Sequence, residues 1–318
     1  MAEKLCPTPV DAVLLAGRDP NKTGFNGQYR FSLEVGGRDM LTSALDALDE
    51  AVFIDRVFVV APTGEVKERL ARRVKDYIPV EQRGSLIENI TAGVERQQQL
   101  GGKQHVLLVC SDLPFLTSSS VDWLVVNSQQ SPHLQVPVVS QAVVQELSPT
   151  YETYFWPMRE YSFKLGNNIF IDTSTLNEER IQLLINRYRN TGSDNYALMS
   201  LNRIALLREY GGAEAVYTVM LNYLSKLIQI KYGTRGHIPF SGWRSKSDYE
   251  RILTRVIGQK SELLASPFVD VVLDVDNPHR LGIFQRGHDR IAEVVQRQTV
   301  VDQIEPRVSS YYQIASRL

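Results

Sequence analysis

Short apolar runs alternate with segments of helical periodicity through the first third of the chain. No other feature of the sequence restricts the fold as much. Asp11 to Ala16 is apolar after its first residue and runs into Gly17, which reads as a first strand. Met40 to Ala51 carries Leu41, Ala44, Leu45 and Leu48 at helical spacing. Arg56 to Val60 is a second apolar, β-branched run, and Val66 to Asp76 and Ser85 to Leu100 read as amphipathic helices. Val106 to Val109 is apolar again. Strands alternating with helices build βαβ units with right-handed crossovers, hence a mainly parallel sheet with both faces covered.

The run at Val106 leads into Cys110-Ser-Asp-Leu-Pro-Phe-Leu-Thr117. A buried strand ends there, Asp112 is its first acid, and Pro114 prevents further ladder pairing. Ligands of open α/β sheets gather outside the carboxyl ends of the strands, so Asp112 is placed to hold a divalent cation by hard oxygen ligation. The competing reading makes Asp112 or Thr117 the cap of a helix around Val121 to Asn127.

After the first strand, Leu14-Leu-Ala-Gly-Arg-Asp-Pro has small residues where a ligand can approach the backbone. Arg18, Lys22 and Arg30 are the cations that would neutralise phosphates there. The loop lacks the Gly-Lys-Ser/Thr step of a Walker loop and the G-x-G-x-x-G dinucleotide fingerprint. Phe268 to Val275 reads as a further strand leading into Asp274-Val-Asp-Asn-Pro278, so Asp274 and Asp276 are placed at a strand end beside Asp112. An Asp-Asn-Pro stretch also forms turns without any metal. Acids at two strand ends and a basic glycine loop at a third favour a phosphate-and-cation site.

Elsewhere the signals are structural. Leu134 to Val144 reads as β structure, broken by Pro137 near an edge. Tyr154, Phe155, Trp156, Tyr161 and Phe163 read as core cover. Asn177 to Lys231 reads as mainly helical with breaks at Thr191-Gly192 and Gly211-Gly212, and His237 to Lys246 as a loop. Tyr217, Leu221, Leu224 and Leu227 sit at helical spacing, as core rather than interface, though the region could host a homodimer contact. A helix from Asp248 to Ile257 and a helical tail from Arg290 complete the pattern.

With these segments located, the chain resembles the MobA-like nucleotidyltransferases. Val13-Leu-Leu-Ala-Gly17 is similar to the strand and loop that wrap the incoming nucleotide. Tyr29 to Leu41 is similar to the family's Pro-Lys-x-Leu-x-x-x-Gly-x-x-Pro-Met-Leu segment, with Arg30 at the lysine position. Asp112-Leu-Pro-Phe-Leu resembles the metal-binding Asp-x-Pro-Phe-Leu, and Asp274-Val-Asp-Asn-Pro278 the terminal Asp-x-Asp-Thr-Pro turn. The pattern departs at Arg18, Arg30, Asn277 and Arg280, where glycine, lysine, threonine and an acid are usual.

The resemblance implies a GT-A/Rossmann-like α/β fold: one nucleotidyltransferase-like domain over residues 1–318, its mixed sheet mostly parallel and flanked by helices. Residues 177–260 would be a mainly helical insertion in the C-terminal half. It implies Mg2+-dependent transfer of a nucleoside monophosphate from an NTP to a phosphorylated small molecule, with pyrophosphate leaving. Arg18, Lys22, Arg30 and Asp112 would be the catalytic residues. Leu15, Ala16, Gly17, Ser85 and Asn89 would bind the nucleotide, and Asn167 and Asn168 would face the acceptor. Asp112 and Asp276 would hold the metal with support from Asp274. The alternatives are a GT-A glycosyltransferase and a catalytically degenerate nucleotide-binding regulatory module.

The balance of 35 basic against 36 acidic residues gives no field to recruit nucleic acid or an anionic membrane. No apolar run approaches the roughly 20 residues of a membrane span, and the start lacks the long apolar stretch of a signal peptide. Cys6 and Cys110 are the only cysteines, so neither a disulfide framework nor a thiolate zinc site is on offer. A cytoplasmic protein is the expectation.

Overall fold

The computed structural model describes residues 7–17, 25, 27–129, 133–147, 151, 153–177, 196–232, 240 and 242–299. Its centre is an eight-stranded mixed sheet. The strands are β1 (Val10–Leu15), β4 (Ile54–Ala61), β5 (Asp76–Glu81), β6 (His105–Cys110), β7 (Leu134–Ser140), β8 (Phe163–Leu165), β9 (Ile169–Asp172) and β10 (Ser261–Ala265). They run in the order β10-β7-β9-β6-β1-β4-β5, with β8 paired to β7. Pairings among β1, β4, β5 and β6 and between β7 and β10 are parallel, whereas β8 and β9 run antiparallel to their neighbours. A small hairpin of β2 (Glu34–Val35) and β3 (Arg38–Asp39) lies apart.

The β1 sequence shows why both faces must be covered. Alternation sends Ala12 and Leu14 into one core and Val13 and Leu15 into the other. On the first face lie α1 (Met40–Glu50) and α4 (Ser118–Ser128), which pack on each other. On the second lies α3 (Leu86–Gln99), drawn close by Gly93: a Cβ there would stand 2.4 Å from Val13 Cγ1. The remaining helices are α2 (Thr63–Leu70), α5 (Gln141–Gln145), α6 (Ser174–Asn177), α7 (Tyr196–Tyr232), α8 (Lys246–Ile257), α9 (Pro278–Arg286) and α10 (His288–Thr299). None of them, among the described residues, is long and apolar enough to cross a membrane.

Several expectations are corrected. Asp76 belongs to a strand, β5, rather than to the helix before it. β5 is the edge strand and is nowhere fully buried, so no apolar alternation marks it, and Pro79 is tolerated there. Pro137 sits in an interior strand, not at an edge. Its carbonyl accepts from Gly166 N (2.8 Å), so its missing N–H faces the gap where the partner of β7 changes from β9 to β8. Val143 and Val144 belong to α5. Phe268 to Val275 is buried but not a strand: Asp270–Val272 forms a 3-10 turn and the rest is irregular. Its backbone is held elsewhere, by Asn167 N on Val271 O (3.0 Å) and Val275 N on Asp112 O (2.9 Å).

The long helix breaks at Gly212 (φ 74°), as its Gly-Gly pair implied. Residues 178–195, with the break expected at Thr191-Gly192, lie outside the described residues. The expected core stripe is overturned: Tyr217, Leu224 and Leu227 are exposed. The buried stripe is instead Ala215, Thr218, Asn222, Ser225 and Gln229, which docks α7 by hydrogen bonds. Gln229 bonds both N and O of Phe155 at 2.7 Å, and Asn222 accepts from Tyr249 at 2.8 Å. Apolar periodicity predicts the wrong face because this helix is held by polar contacts.

Asp270 fastens the irregular segment to α4. Its Oδ2 accepts from Thr117 N (2.9 Å), Thr117 Oγ1 (2.7 Å) and Ser120 Oγ (2.7 Å), while Oδ1 is buried without a partner. Burial pushes its carboxyl up to about 6 against those three lowering bonds. The folded state therefore binds the extra proton, and stability falls as pH rises from the unfolded value near 4 to about 6. The difference amounts to about 2–3 kcal/mol. Asp270→Asn should not show this term: measured by urea denaturation, its stability relative to the parent should rise between pH 4.5 and 7. A parallel pair of pH profiles would contradict the assignment.

Candidate active site

The crevice lies where the chain leaves β1 in one direction and β6 in the other, beyond the carboxyl ends of both strands. It has a volume of about 440 Å³, within the range of small-molecule sites. Its lining includes Leu15, Ala16, Gly17 and Asn89, from the end of β1 and the first turn of α3. It also includes Tyr154, Trp156, Leu165 and Asn167, on and around β8, whose partner β7 is separated from β1 by β9 and β6. Arg30, Asp112, Lys164, Asp274, Asp276 and Arg280 line it as well.

Backbone bonds fix the β1 side. Ser111 N donates to Leu15 O (3.1 Å) and Ala16 N to Val60 O (2.9 Å), so the ends of β1, β4 and β6 stay in register. Gly17 is needed for closeness, since a Cβ would lie 2.7 Å from Asn89 Nδ2. Asn89, near the start of α3, is buried and accepts from Arg83 N at 2.6 Å. Ser85 is not in the cleft. It is the N-cap of α3, in a reciprocal capping box with Glu88.

Asp112 does not cap a helix. Thr117 does, accepting from Ser120 N at 3.3 Å. Asp112 Oδ2 accepts from Arg30 Nη1 at 2.7 Å, and its Oδ1 is buried without any partner. Burial and the nearby Asp274 raise its carboxyl, opposed by Arg30. Asn277 caps α9, accepting from Arg280 N (2.9 Å), which leaves Asp274 and Asp276 to other work. Asp274 Oδ1 accepts from Lys164 Nζ (2.8 Å) and Arg280 Nη1 (3.1 Å). Burial alone would raise Asp274, but Lys164, Asp276 and Arg280 hold it well below the usual carboxylate range. Asp276 is half exposed, and burial together with the Asp274 and Asp112 charges pushes it up.

Arg30, Asp112, Asp274 and Asp276, proposed from sequence, thus share one cleft with Leu15, Ala16, Gly17, Asn89 and Asn167. Asn168 does not join them: it is buried beside the cleft with both side-chain polar atoms unpartnered. Arg18 and Lys22 lie outside the described residues. Thr153, Tyr154 and Trp156 are lining residues that sequence reading missed, and Lys164 lines the cleft from the segment that leads to Asn167 and Asn168. The expected core cover holds for Phe155 and Phe163, which are buried, and for Trp156 and Tyr161, which pack against the core; Tyr154 and Trp156 also line the cleft. Arg280 was visible only as a departure from the family pattern.

No group of three or more His, Cys, Asp and Glu among the described residues is arranged to cage a metal ion. Mg2+ needs no such cage, since it is bound through one or two carboxylates, waters and substrate phosphates. The unpartnered Oδ1 of Asp112 suits that mode; Asp274, engaged by two cations, serves to hold them.

A mostly parallel sheet with acids and arginines at the rim of its central strands places the chain in the GT-A-like α/β class. Within it, residues 12–160 match the model of the MobA-like NTP transferase domain family. The fold is similar to that of a hypothetical transferase from Thermus thermophilus, 22% identical, covering 86% of this chain and 100% of that one, with TM-score 0.61. It is also similar to the 4-diphosphocytidyl-2C-methyl-D-erythritol synthase of Anaerococcus prevotii DSM 20548, 12% identical, covering 89% and 99%, with TM-score 0.50. No curated protein matches the chain.

Proposed function

We propose that the chain transfers a nucleotidyl group from an NTP to a phosphorylated small molecule. An acceptor phosphate oxygen attacks the α-phosphorus, the bond to the bridging oxygen breaks, and pyrophosphate leaves with its electron pair. No side-chain nucleophile is required, so the protein's work is positioning and charge neutralisation. The observation that carries this reading is Asp112: a carboxylate just past the end of a central strand, one oxygen on Arg30 and the other buried and unpartnered, in a stretch that matches a family of NTP transferases.

Gly17 and Asn89 would take the nucleotide end of the cleft, and Arg30 a phosphate. Asp112 and Asp276 would hold Mg2+, which when bound neutralises charge between the α-phosphate and the attacking group. Asn167, Tyr154 and Trp156 would face the acceptor. Thermal denaturation with ATP, CTP, GTP and UTP, each with and without Mg2+, tests the binding half of this reading. One NTP should raise the midpoint in a metal-dependent way by mass action. No shift with any of the four would remove the nucleotide site.

A further inference from the structure

The charged groups of the cleft form one alternating chain. Asp112 pairs with Arg30 at 2.7 Å, and Arg30 stands 4.0 Å from Asp276 Oδ1. Asp276 Oδ2 stands 4.0 Å from Arg280, which pairs with Asp274 at 3.1 Å, and Asp274 pairs with Lys164 at 2.8 Å. The members differ in what they can still bind. A lysine has three donors, and Lys164 places all of them, on Tyr151 OH (2.6 Å), Val272 O (2.6 Å) and Asp274 Oδ1 (2.8 Å). It is saturated and can only hold Asp274 in place.

The two arginines are not saturated. Each has a five-donor fork and spends one nitrogen, Nη1, on a buried carboxylate. That single bond fixes the guanidinium without consuming it. Arg280 is further held over the Tyr151 ring, its Cζ 5.3 Å from the centroid. Between the two forks lies Asp276, half exposed, and 4.0 Å from each is beyond a direct hydrogen bond. Two fixed guanidiniums lining one cleft, with a carboxylate between them that engages Asp274 but reaches neither fork, are arranged for an anion able to accept from both forks.

We infer that Arg280 and Arg30 form a two-arginine clamp for a phosphate group, and that the carboxylate of Asp276 stands in its place when the clamp is empty. Arg280 is bound through Tyr151 and Asp274 to Lys164 on β8, three residues before Asn167, and β7, β9 and β6 separate that strand from β1 and Gly17. The clamped group is therefore the phosphate of the acceptor rather than the nucleotide's outer phosphates. That last identification rests on the nucleotidyl-transfer reading; the clamp itself does not. Phosphate fits better than carboxylate because its oxygens can accept two guanidinium forks at once.

The test is calorimetric titration of the full chain with inorganic phosphate in metal-free buffer, and separately with the four NTPs in Mg2+. Three proteins are compared: the parent, Arg280→Gln and Asp276→Asn. Arg280→Gln should weaken phosphate binding about tenfold or more, the scale of one charge-assisted contact, while leaving NTP affinity within about threefold. Asp276→Asn removes the competing anion at a half-exposed position and should bind phosphate more tightly than the parent. Phosphate affinity unchanged in Arg280→Gln, no phosphate binding by the folded parent, or weaker binding in Asp276→Asn would each overturn the clamp. Equal loss of NTP and phosphate in Arg280→Gln would overturn its assignment to the acceptor. Loss of phosphate binding alone, with no NTP bound by the parent, would support the clamp and overturn the proposed function instead.

Discussion

Asp112→Asn is expected to lower nucleotidyl transfer by about a thousandfold or more while the protein stays folded. On the proposed reading several kcal/mol of charge stabilisation would depend on a carboxylate at that position, and each 1.4 kcal/mol is about tenfold in rate. Asparagine keeps the shape and still accepts from Arg30, so the loss should fall on the metal-dependent part of NTP binding and on turnover. The geometry that demands this is narrow: Oδ2 is on Arg30 at 2.7 Å and Oδ1 is buried with no partner. A buried carboxylate oxygen left without a donor is costly unless a ligand completes it. Near-normal metal-dependent NTP binding in the variant, with unchanged melting behaviour, would remove Asp112 from the site.

The largest effect on stability is expected far from the cleft. Asp11, fully buried on β1, accepts from Arg56 through both oxygens, at 3.1 and 2.9 Å, and from Gln97 (2.8 Å) and Lys103 N (3.0 Å). Burial would raise its carboxyl, but Arg56 and the other donors outweigh that and leave it lowered. Arg56→Met removes the countercharge and leaves a buried carboxylate with neutral donors only. The expected cost at pH 7 is about 3–5 kcal/mol, the scale of breaking a buried pair from one side. With Arg56 present, Asp11 contributes stability that is full above its unfolded value and lost as pH falls through its lower folded value. In the variant that contribution is absent, so the deficit should shrink on acidification. A loss under about 1 kcal/mol in urea denaturation would mean the other donors suffice.

How much of this was legible in the sequence differs by element. β1, β4 and β6 were, because strands buried on both faces write unbroken apolar runs; so were α1 and α3, whose single buried stripe writes a helical period. β5 was not, since an exposed edge strand has no core to select its pattern. Phe268 to Val275 was misread for the opposite reason: burial selects apolar residues whether or not the backbone is a strand. The polar docking face of α7 inverted the usual rule, so its apolar stripe pointed outward.

The site was half legible. Asp112 and Gly17 stand where a strand end and a close approach demand their residue types. Asp276 was found for a partly mistaken reason, because no strand delivers it: the Val275–Asp112 backbone bond does. Lys164 and Arg280 matter through contacts with Asp274 across more than a hundred residues and across six, respectively. Only the first is beyond sequence in principle. Arg280 follows Asp276 by four residues and was seen as a mere departure, when its place in the first turn of α9 puts it in the cleft.

The most direct test of the central claim uses NTPs labelled at the α-phosphate, incubated with Mg2+ and a small-molecule extract containing phosphorylated metabolites. Label from one NTP should move into a new product through a phosphoanhydride bond, with pyrophosphate released in equal amount, and Asp112→Asn should do neither. Tight NTP binding with no label transferred from any of the four, in an extract that supplies acceptor to an active nucleotidyltransferase control, would contradict it.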